Sequence, residues 1–152
     1  MGTPLYKYEK QNQVSYSFVS KGMRGVITKI VQFTPTSING IFNLAYGDLL
    51  PEGDIDDKSN SNNGDMIKVL GTVIEIVKEF TNTKVNIKIL FAGNTAVRTK
   101  LYYRILKNYR QMFEKDFILA AFIKTGIKKY AEIPFNELDE KSNCVAFFIK
   151  RK

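Results

Sequence analysis

The chain has 152 residues, 44% hydrophobic and 25% charged, with a net charge of +8, one cysteine and no histidine. That length and composition suit one globular domain over residues 1–152, large enough to bury about 70% of its unfolded surface without a disulfide or metal staple. A lone Cys144 and the missing histidine exclude thiol- or imidazole-built metal centres and the commonest general base, so a hydrolase triad would need Lys, Glu or Tyr instead.

Residues 1–8 lack an apolar stretch of signal-peptide length. The longest apolar run, Phe117 to Ile123, falls far short of the roughly 20 residues of a membrane helix, so a cytoplasmic protein with no membrane partner is expected. Three strands come first: Val14 to Ser20, Gly25 to Thr34 and Ile41 to Tyr46. The connection Lys21-Gly22-Met23-Arg24 and the turn formers from Pro35 to Gly40 divide them into an antiparallel meander. Mixed apolar positions on both faces of the second strand place it centrally. Tyr6, Tyr8, Tyr16 and Phe18 read as strand packing. Gly47 to Asp65 is polar and acidic and reads as an exposed loop.

A helix is expected from about Asp65 to Phe80, with Asp65 at or near its N-cap. Its apolar stripe is Met66, Leu70, Val73, Val77 and Phe80, with Ile67 and Ile74 beside it, broad enough to pack on a sheet. The segment Val85 to Phe91 reads as a strand. A second helix from about Ala96 to Lys115 would bury Val97, Leu101, Ile105, Tyr109 and Met112. Strands over Phe117 to Lys124, Lys128 to Pro134 and Cys144 to Lys150 complete the chain, the last two separated by an acidic loop from Asn136 to Ser142. The order βββ-α-β-α-βββ implies an α+β domain with a mostly antiparallel sheet and two helices.

Charge is laid down unevenly. Residues 1–83 hold 8 Lys and Arg against 9 Asp and Glu, and residues 84–152 hold 15 against 6. That asymmetry points to a polyanionic or acidic partner, or to a solvated basic face. The sharpest local signal is Gly93-Asn94-Thr95 leading into Arg98-Thr99-Lys100. There a tight turn opens a helix whose first turns carry cations, where the helix dipole favours anions. An external phosphate or nucleic acid could answer those cations, as could an internal carboxylate such as Asp65 or Asp48. The loop Asn62-Asn63-Gly64-Asp65 precedes the first helix in the same manner, so the two helix starts, with Asp65 and Thr95, are expected in one cleft.

Along the second helix, Lys100, Tyr103, Arg104, Lys107 and Arg110 recur at helical spacing as a basic stripe with an aromatic interleaved. A surface tracking a nucleic-acid backbone has this composition, and so does a solvated helix face. Asp54 and Asp56 match the first ligand positions of a calcium loop, but Lys58 occupies a ligand place and the turn glycine is missing, so no metal is expected. Cys144 reads as a small core residue. For an enzyme, Asp48 and Tyr102 are the candidate acid or base.

The blocks Ser61-Asn62-Asn63-Gly64-Asp65 with Lys68-Val69-Leu70, Arg98-Thr99-Lys100-Leu101-Tyr102 and Ala146-Phe147-Phe148-Ile149-Lys150-Arg151-Lys152 resemble a family of small bacterial proteins classed as a domain of unknown function. The resemblance spans nearly the whole chain. It implies single-domain integrity and marks those blocks as site candidates, without supplying a reaction. Asn94 and Leu101-Tyr102 also bear a loose likeness to the acetyl-CoA-dependent N-acetyltransferase fold, but that fold's pyrophosphate loop has only Gly64 in its place. The reading that follows is a protein without cofactor that binds nucleic acid or a phosphate-bearing ligand. The alternatives are an acyltransferase-like enzyme and an accessory protein docking on an acidic protein.

Overall fold

The computed structural model describes residues 5–52, 55–56, 64–82, 84, 86–91, 96–138 and 143–152. The chain is α+β, its strands are paired mostly antiparallel, and it groups into two compact units: Met1–Thr34 with Leu44–Val85, and Pro35–Asn43 with Asn86–Lys152. No helix among the described residues is long and apolar enough to cross a membrane.

The first unit contains β1 (Tyr8–Lys10), β2 (Ser15–Gly22), β3 (Gly25–Pro35), most of β4 (Ile41–Leu49), β5 (Ile55–Asp56) and α1 (Met66–Thr81). Strands β1 to β4 lie side by side in chain order. Antiparallel pairing sets Tyr16 opposite Val31 and Phe18 opposite Lys29, so Tyr16, Phe18 and Ser20 share a face with Lys29, Val31 and Phe33, all buried. A slip of one residue would turn this whole set to solvent, which holds the register. Helix α1 covers that face with Val69, Thr72, Val73, Ile76, Val77 and Phe80, spaced three and four apart. The rings of Phe80 and Phe33 stack at 3.9 Å and 2°.

The second unit contains the start of β4, β6 (Lys88–Phe91), α2 (Ala96–Asn108), α3 (Arg110–Glu114), β7 (Phe117–Gly126), β8 (Lys129–Pro134), a 3-10 turn at Phe135–Glu137 and β9 (Cys144–Arg151). Its strand order is β4-β6-β9-β7-β8. Ile41 to Asn43 pair with Lys88 to Leu90 in parallel, and β6–β9, β9–β7 and β7–β8 are antiparallel. One face of this sheet meets the helices: Tyr102 of α2 stacks on Phe91 at 4.2 Å, and Tyr103 meets Phe135, which meets Phe147.

Several expectations need correction. Gly47–Leu49 continue strand β4 rather than opening a loop, and Gly47 is buried. Strand β6 begins at Lys88, not Val85. On α1, Ile67 is 50% exposed and Ile76 fully buried, so the packed face is centred on Val69, Val73 and Ile76. The second helix breaks at Tyr109, whose φ of −113° and ψ of 23° leave the helical region. Tyr102 and Leu106, not Ile105 and Tyr109, are its buried anchors, because the Phe91 ring and the sheet draw the helix round by one residue. The described side chains leave out Val97 and Leu101.

Truncating Phe80 to alanine removes the stacked anchor of α1 and is expected to cost about 3–5 kcal/mol. Ile67→Ala, on the exposed side of the same helix, should stay within about 0.5 kcal/mol. Urea denaturation followed by circular dichroism checks both.

Candidate functional site

In the first unit, Asp65 stands at the N-cap position of α1, yet its carboxylate makes no capping bond. Two hydroxyls claim it instead: Tyr6 Oη donates to Oδ2 at 2.5 Å and Ser20 Oγ at 2.6 Å. Around them, the Lys21 backbone N–H donates to Tyr6 Oη at 3.0 Å, the Tyr6 N–H donates to Thr72 Oγ1 at 2.9 Å, and Lys68 Nζ lies 4.3 Å from the Tyr6 ring centre. Burial and then the Asp65 carboxylate raise the Tyr6 pKa above its usual range. This cluster therefore holds a neutral phenol that ties residue 6 to β2 and to the N-cap of α1, while its backbone N–H ties it to Thr72 within that helix. Gly64, at φ +79°, makes the turn just before it, under the side chain of Met23.

Asp48, a candidate acid or base, is ion-paired with Lys29. The side chains are 19% and 8% exposed, and Lys29 Nζ also lies 5.8 Å from the Tyr46 ring centre. The arrangement neutralises a cation that β3 places on its core-facing side, which is a structural task. In the same unit Tyr8 Oη donates to Glu79 at 3.0 Å, and burial together with that carboxylate pushes the Tyr8 pKa up to about 12. The Cys144 thiol, half-buried, is also pushed up by burial, which suits a packing role.

In the second unit, Lys100, Arg104 and Lys107 of α2 are all exposed, at positions separated by four and three residues, within roughly 60° of one another around the helix. Helix α2 contains no acidic residue. Thr99 is buried, and Tyr102, the other candidate acid or base, is 6% exposed and stacked on Phe91. Tyr103 is half-buried against Phe135, with Lys107 Nζ 5.8 Å from its ring centre. Arg110 departs from the stripe: it lies beyond the helix break, in α3, and is ion-paired with Glu114. The break leaves a groove of about 680 Å³ with Lys107, Arg110 and Met112 among its walls.

The structure thus gathers Lys100, Arg104 and Lys107 on one surface, and engages Asp48 and Asp65 separately with partners of their own unit. Asn62, Asn63, Gly93, Asn94 and Thr95 lie outside the described residues, as does the side chain of Arg98. Sequence reasoning missed Lys29 and the Tyr6–Ser20–Asp65 cluster. Lys29 carried a usable signal, since it falls in phase with Ile27, Val31 and Phe33 and so had to be buried with an anion; the cluster carried none, because its members are 45 and 59 residues apart from Asp65.

Two outcomes follow from these pairs. Asp48→Asn leaves Lys29 buried beside an uncharged amide and should cost about 3–5 kcal/mol in urea denaturation. A tyrosine raised from 10.0 to about 12 favours the folded state fully below pH about 10 and loses that contribution as pH climbs toward 12. Alkaline titration read by tyrosinate absorbance should show a component near 12 that disappears in Tyr8→Phe.

A family model described as "Family of unknown function (DUF6934)" matches residues 3–152. No curated protein and no solved structure matches the chain. The loose likeness to the N-acetyltransferase fold gains no support from these comparisons.

Proposed function

We propose that this chain, which belongs to the family of unknown function DUF6934, binds a polyanion, nucleic acid or a phosphate-bearing ligand, through the basic face of α2. The observation that carries this reading is the display of Lys100, Arg104 and Lys107 together on an acid-free helix. Three cations outside α2 are by contrast answered internally, Lys29 by Asp48, Lys88 by Glu132 and Arg110 by Glu114. Among the described residues no carboxylate stands at ion-pair distance from Lys100, Arg104 or Lys107. Three like charges on one face repel one another, and a phosphate chain relieves that repulsion while releasing its counterions.

An acidic protein surface would be drawn to the same cations. The acyltransferase alternative is less well supported, because Tyr102 is packed in the core rather than presented to a ligand.

Binding of short DNA or RNA should weaken with salt by a log-log slope of roughly −0.7 to −0.9 per phosphate contact. Substituting Arg104→Gln together with Lys107→Gln should lower both affinity and that slope by about two contacts, with an unchanged circular dichroism spectrum because Tyr102 and Leu106 hold the helix. Fluorescence anisotropy over a salt series measures this. Unchanged affinity in the double variant, or no binding at low salt, would overturn the proposal.

A further inference from the structure

The sheet face of the second unit opposite α2 is built differently from an ordinary solvent face. Register places Phe122 and Lys124 of β7, Tyr130 and Glu132 of β8, and Phe148 and Lys150 of β9 on that side. Lys88 of β6 joins them opposite Lys150. The three aromatic rings form a row across three adjacent strands. Tyr130 lies parallel to Phe122 at 5.3 Å and 9°, and Phe122 meets Phe148 edge-on at 5.7 Å. The row is graded, from Phe148, which is buried, through half-buried Phe122 to Tyr130, which is 49% exposed, and Ile118 on the same face is 53% exposed. Lysines surround the row: Lys124 directly opposite Tyr130, Lys150 opposite Ile118, and Lys88 with Nζ 5.4 Å from the Phe148 ring centre. The acid among them, Glu132, is held by Lys88 at 2.6 Å.

Exposed aromatic surface has a cost in water that a strand face can avoid with threonine or charge, so a half-exposed ring continuing a stacked row points to a flat partner. The lysines require that partner to be anionic. Bases joined by phosphates satisfy both conditions, since each base offers a π-face and each link a charge. A duplex major groove about 12 Å wide admits a ribbon of two strands, whereas this face runs across four, with roughly 14 Å between the outer strand axes. The face is therefore too broad for a groove and suited to an unpaired strand. A second copy of this chain, seated symmetrically, would bring lysines against lysines.

We infer that this open sheet face is a site for single-stranded nucleic acid, with a base stacking on Tyr130 and phosphates meeting Lys124 and Lys150. The site goes beyond the α2 reading and uses none of its residues. Its test is the binding of a fluorescent oligothymidylate of about 15 nucleotides to the full chain, by anisotropy across a salt series. Tyr130→Ala should weaken binding by about tenfold, Tyr130→Phe should retain it, and Lys124→Gln should lower the salt slope by roughly 0.7. The chain has no tryptophan, so Tyr130→Trp provides a single reporter whose emission the oligonucleotide should quench.

Loss of affinity in Tyr130→Ala with none in the Arg104/Lys107 double variant would support the sheet site and remove the helix from nucleic-acid binding. The reverse pattern, with an unquenched Tyr130→Trp, would overturn the sheet site and leave the helix reading standing. Absence of oligonucleotide binding by the wild-type chain overturns the sheet site too. In that case polyglutamate binding lost in Tyr130→Ala would assign the face to an acidic protein, and sedimentation showing a dimer broken by Tyr130→Ala would assign it to a second copy.

Discussion

Insertion of the last strand between β6 and β7 is the constraint on which the second unit depends. Strand β9 bonds to both neighbours, so neither can reach the other until residues 144–151 arrive. Being central, it must be apolar on both faces, and Ala146 to Ile149 form an unbroken buried run. Phe147 then serves the helix side, through Phe135 and Tyr103, while Phe148 serves the open side, through Phe122. Two adjacent phenylalanines thereby organise both faces of the second unit's sheet.

The first unit is organised instead by buried polar pairing. Placing Lys29 on the packed face of β3 costs desolvation that a hydrocarbon would not incur, and Asp48 offsets it in a site where neither charge is well solvated. The Asp65 cluster works by the same logic with neutral hydroxyls, a carboxylate accepting from two donors on segments distant in the chain. Such groups discriminate between registers, because each misplaced alternative strands a buried charge or an unmet carboxylate.

Charge in this protein therefore divides into two kinds. Some cations complete internal pairs, as Lys29, Lys88 and Arg110 do, and contribute to architecture. Others, Lys100, Arg104 and Lys107 on α2 and Lys124 on β7, stand exposed with no carboxylate at ion-pair distance among the described residues. The excess of cations in residues 84–152 is informative about partners only after this division, since net charge counts both kinds alike.

Periodicity alone was enough to locate α1, the hairpin strands β2 and β3, and the three closing strands, because period-2 and helical patterns are local properties of the chain. The α+β class and the stripe of Lys100, Arg104 and Lys107 were legible for the same reason. What could not be read was anything set by a distant partner. The conversion of Tyr102 from candidate acid to core anchor, and the capture of Asp48 by Lys29 and of Asp65 by Tyr6 and Ser20, all arise from contacts between separate segments of the chain. The open aromatic face belongs to the same class: Tyr130, Phe122 and Phe148 become neighbours only through strand register, which hydrogen bonding between strands decides and no single strand encodes.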